Sequence, residues 1–171
     1  MNLEYKNLLD ENFSSDSRVW IYQSNRLFTI NEALAIEELL NDFTAKWVSH
    51  GVPVKGAGYL FFGQFIILMA DERATGISGC STDSSVRLIK DIEQRFGINM
   101  FDRTTLGFVI EDKVQLLPLS QLQYAFGNGF INADTLYFNN LVQTKEELEN
   151  NWIVPVKNSW LFSRLKLKIE D

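Results

Sequence analysis

The segment from Ser78 to Ser85 carries the residue types best suited to chemistry in this chain. It consists of small, mostly hydroxylated residues, includes the only cysteine, and lies between a strand-like apolar run and an amphipathic helix. Backbone N–H groups at such a helix start, together with the positive end of the helix dipole, favour an anion or a thiolate. We therefore predict a small-ligand site here, and the alternatives are a bound anion and a stabilised thiolate of Cys80. The residues predicted to contact the ligand are Ser78, Gly79, Ser81, Thr82 and Ser84.

Cys80, His50 and Asp71 are the side chains from which a nucleophilic mechanism could be built. A cysteine thiolate stabilised by the helix dipole is a nucleophile or a redox centre. His50 is the only histidine, so it must act as the base, with Asp71 or Glu72 as the orienting carboxylate. As the alternative, Cys80 is a small packed residue or an inert loop thiol. A histidine before glycine is also common at a helix end, where it favours the last carbonyls.

Metal chemistry has less support in the sequence. Asp71 and Glu72 could hold a divalent cation through their oxygens, but two acids after a strand are more often a solvated turn. Cys80 and His50 lack the spacing typical of zinc sites, so no metal site is predicted and no cofactor is identified. Arg103 and Glu72 are assigned to the predicted ligand pocket.

The start of the second helix also has a purely structural interpretation. Thr82 or Asp83 is a suitable N-cap, and a carboxylate in the first turn stabilises a helix without any ligand. A fixed carboxylate at Asp83 would moreover repel an incoming phosphate. This weakens the hypothesis of a phosphate site.

The composition restricts the class of protein and its partners. With 46% hydrophobic residues, the 171 residues suffice for one sizeable core, so residues 1–171 are predicted to form a single domain. The formal net charge of −6 disfavours the broad positive field that nucleic acids and anionic lipids require. No apolar run approaches the ~20 residues of a membrane helix, and a single cysteine cannot close an intrachain disulfide. We therefore predict a cytoplasmic protein without a membrane partner, disfavour a nucleic-acid partner, and leave a homodimer open.

Residue patterns predict an α+β fold. A polar leader, residues 1–17, precedes a strand and a helix capped by Thr29 or Asn31. Two apolar runs divided by a glycine then predict a hairpin of central strands. The second helix, which ends at Gly97, is followed by two further strands.

This order of elements is the ferredoxin-like βαββαβ arrangement with an added strand, which we predict for residues 18–117. The remaining residues, 118–171, are predicted to form a C-terminal extension of short helices and an edge strand. One helix is predicted after Thr144, which begins a capping box. The edge strand is predicted near Ile153–Val156, because its proline lacks a donor for a central ladder.

Residues 55–62, Lys-Gly-Ala-Gly-Tyr-Leu-Phe-Phe, resemble the octapeptide of the RNA-recognition motif, in which aromatic side chains stack on bases. The sequence departs from that octapeptide at Ala57, which is one of the stacking positions. The acidic composition of the chain also opposes binding to a phosphate backbone. RNA binding is therefore kept as a third hypothesis only.

A longer pattern resembles a small group of uncharacterised bacterial proteins. It comprises Trp47-x-x-His50-Gly51, then Asp71-Glu72, then the residues from Ser78 to Val86. The likeness covers most of the chain but implies no activity, substrate or cofactor. Some members of the group carry the label "ABC transporter ATPase". That activity needs a Walker A lysine and a signature helix, and both are absent from this sequence.

Two functional hypotheses follow from the sequence. The first is a small-ligand-binding protein that could be an enzyme. Its pocket is formed by Ser78 to Ser85, Asp71, Glu72, His50 and Arg103. The second is a non-enzymatic scaffold or dimer-forming module with an aromatic sheet face that the C-terminal segment or a second subunit covers. The residues of that face are Trp20, Tyr22, Tyr59 and Phe61.

Overall fold

The computed structural model of the chain describes residues 1–71, 73 and 79–166, without the side chains of residues 79–81 and 166. It has the predicted α+β class, and all its strand pairs within these residues are antiparallel. The elements are β1 (Arg18–Gln23), α1 (Ile30–Lys46), β2 (Val48–Ser49), β3 (Val52–Pro53), β4 (Lys55–Phe61), β5 (Phe65–Asp71), α2 (Gly79–Phe96), β6 (Thr105–Ile110), β7 (Lys113–Pro118), α3 (Leu122–Gly127), β8 (Leu136–Phe138), α4 (Lys145–Asn151), β9 (Ile153–Pro155) and α5 (Trp160–Lys166).

The first sheet has the strand order β1-β5-β4. Its central strand, β5, is buried along its whole length, which explains why that run is apolar at every position instead of alternating. Both long helices pack on one face of the sheet. There Ile36 and Leu40 of α1 and Ile89 of α2 share a core with Ile66 of β5. Three strands and two helices therefore have the predicted layering.

The start of α1 is tied to the end of α2. Thr29 is the N-cap, and its hydroxyl and the carboxylate of Glu32 complete a capping box. Arg26 binds the same carboxylate through both terminal nitrogens, each at 2.8 Å, and donates to the carbonyl of Phe96. The backbone then leaves α2 through Gly97, whose φ of 61° lies in the left-handed region that glycine tolerates.

The ferredoxin-like arrangement is not confirmed, because β6 does not join the first sheet. It pairs with β7 and with β8 in a second sheet of order β7-β6-β8-β9. The position beside β1 is partly occupied by the segment before α4: the N–H of Val19 donates to the carbonyl of Gln143, and Arg18 forms a bridge with Thr144. The alternative partner for β6 is β8, a strand that was not predicted.

The leader, residues 1–17, is part of the core and not merely polar. Tyr5, Leu9 and Phe13 are buried against the face of the first sheet opposite the helices, together with Phe61 and Trp152. These three leader residues recur at every fourth position among mostly polar ones. Each was therefore overlooked in a segment that is polar on average.

The four aromatic residues predicted to share a sheet face lie on opposite faces. Trp20 and Tyr22 pack on the helix side, whereas Tyr59 and Phe61 pack on the leader side. The register explains the difference, because Trp20 and Tyr59 are opposite consecutive residues of β5, and consecutive residues alternate between faces.

The strand that resembles the RNA-recognition octapeptide has a covered aromatic face. The ring of Phe61 is buried against Tyr5 and Trp152, and the backbone N–H of Asp10 donates to the hydroxyl of Tyr59. These rings are therefore not open for stacking on bases.

The C-terminal part contains the predicted edge strand, because β9 is the last strand of the second sheet. Thr144 caps α4 by accepting from the N–H of Glu147, as predicted, but the carboxylate of Glu147 accepts from the N–H of Gln143, so the capping box is incomplete. The sequence analysis missed α5. Of the helices in the described residues, none is long and apolar enough to cross a membrane.

Candidate functional site

The second helix begins earlier than predicted. Because α2 starts at Gly79, Thr82 and Asp83 lie inside it, and the prediction that one of them is the N-cap was wrong. The hydroxyl of Ser85 donates to the carbonyl of Thr82 at 2.7 Å. Such bonds from small hydroxylated residues to the preceding turn are compatible with a helix. These residues have low helix propensity, and packing of the buried face of α2 compensates for it.

The structure describes only part of the predicted ligand segment. Ser78 and Glu72 lie outside the described residues, and for Gly79, Cys80 and Ser81 only the helical backbone is described. Cys80 therefore lies in the first turn of α2 and not in a loop before it. Its role as a nucleophile remains a prediction.

His50 and Asp71 occupy different environments. His50 is exposed in the turn between β2 and β3, with a φ of 49°, and does not end α1 as predicted. Asp71 is buried at the end of β5, where its Oδ2 lies 2.6 Å from Nη2 of Arg73 and 3.4 Å from Nζ of Lys55. No hydrogen bond or ion pair between described residues joins His50 to Asp71. Among all described residues, no three His, Cys, Asp or Glu side chains lie close enough together to hold a metal ion.

The ion pairs of Asp71 predict acid sensitivity. The hydrogen bonds of Arg73, with a contribution from Lys55, hold the pKa of the Asp71 carboxyl well below its usual range. A carboxyl with a lower pKa in the folded chain stabilises it above the unfolded-state pKa of about 4, and this stabilisation is lost as pH falls towards the folded-state value. We expect Asp71→Asn to lower the free energy of unfolding at pH 7 by about 1 to 2 kcal/mol, because both cations are partly solvated.

Urea denaturation at several pH values checks this expectation. Below pH about 4 the wild-type curve should fall more steeply than that of Asp71→Asn. Glu32, whose pKa is lowered to about 2 by Arg26, titrates in the same range in both proteins, so their difference isolates Asp71. Asp91→Asn, at an exposed position of α2, should follow the wild type. Parallel curves for Asp71→Asn and the wild type would contradict the expectation.

A groove runs along the edge of β1 that is not paired with β5. It comprises an inner cavity of about 70 Å³ and an outer cavity of about 160 Å³. Four residues line both cavities and so connect them into one groove, which we call the edge groove. They are Ile21, Arg103, Asn140 and Leu141.

A chain of amide hydrogen bonds forms the floor of the edge groove. The Nε2 of Gln23 donates to the carbonyl of Thr105, and its Oε1 accepts from Nδ2 of Asn140. The Oδ1 of Asn140 in turn accepts from the indole N–H of Trp152 at 3.0 Å. This chain joins β1 of the first sheet to β6 and to the segment after β8.

The wall formed by β1 presents backbone groups without partners. Val19 directs its N–H away from β5, towards Gln143. Alternate residues of an antiparallel strand point to the same side, so the N–H and C=O of Ile21 also face the groove. Among the described residues, none forms a hydrogen bond with these groups of Ile21. They are available to a bound molecule.

Arg103 is the cation at the junction of the two cavities. In the described part of the chain it forms no hydrogen bond or ion pair. Arg103 lies close to Tyr22. Burial raises the pKa of the Tyr22 hydroxyl, whereas a hydrogen bond with Ser85 and the positive charge of Arg103 lower this pKa. Arg103, predicted as a ligand-binding residue, and Ser85 of the predicted segment therefore meet at the same tyrosine.

The two cavities differ in chemistry. Besides Arg103, the outer cavity is lined by Arg18, whose guanidinium lies over the ring of Trp20 at 5.2 Å. The inner cavity is lined mainly by apolar side chains, including Leu106 and Phe138. Its other lining side chains include Met100, Leu141, Trp160, Tyr137 and Asp102.

Asp102, which also lines the inner cavity, is bonded within its own turn. Its carboxylate accepts hydrogen bonds from the side chains of Thr104 and Thr105 at 2.6 Å, and these bonds lower its pKa. These bonds keep the carboxylate ionised, so its negative charge offsets part of the positive charge of the groove, while its oxygens are held within this turn. The groove as a whole suits an anionic group next to an apolar one.

Sequence reasoning missed most of the edge groove. Gln23 and Asn140 were not predicted, and neither were Tyr137 and Trp160. One signal was present: Gln23 continues the inward-facing positions of Val19 and Ile21 with a polar residue. A polar residue in that phase needs a buried partner.

Comparison with known proteins gives no relative from which an activity could be transferred. No family model, no curated protein and no solved structure matches this chain.

Proposed function

We propose that this protein binds a small organic anion in the edge groove, with the anionic group at Arg103. The observation that carries the proposal is the position of Arg103, a cation without a partner among the described residues, where two cavities meet. An arginine at such a site offers paired donors to a carboxylate or phosphate. The backbone N–H of Ile21, which has no partner among the described residues, supplies a further donor.

The apolar inner cavity favours a carboxylate with a short hydrocarbon part over a bare inorganic anion. The hydrocarbon would contact residues such as Leu106 and Phe138, and each buried methylene contributes about 0.8 kcal/mol. In this proposal the groove takes the place beside β1 that the fourth strand of a ferredoxin-like sheet would fill. The start of α2, where the sequence predicts a ligand, flanks the same groove through Ser85 and Tyr22.

NMR titration of the ¹⁵N-labelled chain with hexanoate, acetate and inorganic phosphate tests the proposal. We expect hexanoate to shift the amide signals of Ile21, Arg103 and Leu141, and to bind about tenfold more tightly than acetate. Arg103→Ala should weaken hexanoate binding by about tenfold or more, because a charge-assisted hydrogen bond is lost. Arg87→Ala, at an exposed position of α2, is the matched control and should bind as the wild type does.

Two outcomes would contradict this function. One is the absence of shifts in the groove at ligand concentrations of about 50 mM. The other is a response confined to residues 79–85, which would move the site to the helix start that the sequence predicts.

A further inference from the structure

The segment before α4 pairs with β1 only as far as Val19. The N–H of Val19 donates to the carbonyl of Gln143 at 2.8 Å, as in an antiparallel ladder. The N–H of Gln143 does not return a bond to β1, because it donates to the carboxylate of Glu147. Ile21 is the next residue of β1 whose backbone groups point to this side. The pairing therefore ends before it reaches Ile21.

A side-chain bond closes the unpaired stretch beyond Ile21. Gln23 follows Ile21 in the same phase of β1, and its Oε1 accepts from Nδ2 of Asn140 at 3.0 Å. This bond holds Asn140 against the end of β1. The part of β1 that can accept a partner lies between Val19 and Gln23, and it has the length of about one extended residue.

Both backbone groups of Ile21 need a partner when a ligand fills the edge groove. Ile21 lines both cavities and is only 8% exposed. A simple carboxylate accepts from its N–H but offers no hydrogen to its C=O. Covering that carbonyl without a donor costs free energy, because the carbonyl loses its contact with water. A ligand that satisfies both groups therefore carries a donor next to its carboxylate.

The charge of the outer cavity selects a neutral donor. Arg18 and Arg103 line this cavity, and none of the described residues that line it is acidic. An ammonium group there would be repelled by both guanidinium groups. An amide N–H carries no net charge. In an extended N-acylated α-amino acid, the amide N–H and the carboxylate lie on the same edge, as the N–H and C=O of a strand residue do.

We propose that the ligand of the edge groove is an N-acylated α-amino acid with a small apolar side chain, bound as one extended residue beside Ile21. This inference rests on the proposed function, which places the anionic group at Arg103. One carboxylate oxygen accepts from the N–H of Ile21 and the other from Arg103, while the acyl N–H donates to the C=O of Ile21. The side chain enters the inner cavity, which Leu106 and Phe138 line.

Two ligands that differ in a single N–H test the inference. N-acetyl-L-leucine carries the donor, whereas N-acetyl-N-methyl-L-leucine keeps the carboxylate, the acyl group and the side chain but lacks the donor. In NMR titrations we expect N-acetyl-L-leucine to bind about three- to tenfold more tightly, which is the effect of one hydrogen bond. L-Leucine, with its ammonium group, should bind more weakly than N-acetyl-L-leucine. Equal dissociation constants for the two acylated ligands overturn the inference.

The carbonyl carbon of Ile21 reports the bond from the acyl N–H directly. In the ¹³C-labelled chain, N-acetyl-L-leucine should shift this carbonyl signal more than its N-methyl analogue does. The carbonyls of Trp20 and Tyr22, which face β5, serve as the internal reference. A signal of Ile21 that moves equally with both ligands contradicts the proposed bond.

A peptide could present the same chemical group at its carboxyl end. Gly-Gly-L-leucine distinguishes this source, because the unpaired stretch of β1 has room for only one residue. We expect the tripeptide to bind no more tightly than N-acetyl-L-leucine. A tripeptide that binds about tenfold more tightly overturns the one-residue site in favour of a longer peptide strand.

Failure of this inference can be told apart from failure of the proposed function. Equal binding of both acylated ligands in the groove would overturn the inference and leave the proposed function standing. If neither ligand shifts the groove signals at about 50 mM, both are overturned. Arg103→Ala should weaken both ligands by about tenfold and leave the ratio of their dissociation constants unchanged, because the acyl N–H bonds to Ile21. A ratio that falls to one in this variant would contradict the inference.

Discussion

Replacing Trp152 with alanine is expected to lower the free energy of unfolding by about 4 to 5 kcal/mol, a large part of the stability of an ordinary domain. The side chain is completely buried. Its ring centroid lies 4.8 Å from that of Tyr5, 5.4 Å from that of Phe65 and 5.5 Å from that of Phe138. The indole therefore joins the leader, the first sheet and the second sheet, and its removal leaves a cavity where all three meet.

Denaturant unfolding of two variants checks the role of Trp152. If Trp152→Ala does not fold, Trp152→Phe keeps most of the ring volume but loses the N–H bond to Asn140, and should cost about 2 kcal/mol. Tyr124→Ala removes an aromatic ring that is 67% exposed and should cost less than about 1 kcal/mol. Equal decreases in the free energy of unfolding for Trp152→Ala and Tyr124→Ala would show that the aromatic cluster around Trp152 does not hold the leader and the two sheets together.

Local signals in the sequence were sufficient for most of the first half of the fold. The apolar stripe after Thr29 and Asn31 predicted the start of α1, where Thr29 is the cap of the two, and Gly97 predicted the end of α2. The continuous apolar run of β5 identified a central strand. Each of these depends on residues within a few positions of one another, and the physics that acts on them is local.

The errors arose where a distant partner decides the structure. β6 has the pattern of a strand, but nothing in that pattern states whether its neighbour is β1 or β8. The three-residue strand β8 is too short to be recognised by periodicity. Tyr5, in the leader, is buried only because Trp152, far away in the sequence, covers it. Propensity and periodicity do not encode such pairings.

The candidate site was only partly predictable for the same reason. Arg103 was assigned to the predicted ligand pocket, but Asn140 has no local feature that marks it as part of a groove. Its importance follows from its two bonds, to Gln23 of the first sheet and Trp152 of the C-terminal part. Groove residues of this kind become visible only when the two sheets are placed against each other.

Asn140→Ala is expected to lower the free energy of unfolding by about 2 to 3 kcal/mol, although the side chain is only partly buried. The substitution leaves the indole N–H of Trp152 and the Oε1 of Gln23 without partners, and a buried polar group that loses its partner costs about 1 to 3 kcal/mol. Asn150→Ala, on the exposed surface of α4, removes only a bond to the carbonyl of Glu146 and should change stability by less than about 0.5 kcal/mol.

A double-mutant cycle separates the amide chain from simple loss of packing. If Gln23 and Asn140 act through their shared hydrogen bond, the cost of Gln23→Ala and Asn140→Ala together should be smaller than the sum of the single costs by about 1 kcal/mol. Additive costs would mean that each amide stabilises its own sheet independently. In that case the chain of bonds would not hold the two sheets together. Coupled costs would instead show that the hydrogen bond from Asn140 to Gln23 holds β1 to the segment after β8 across the edge groove.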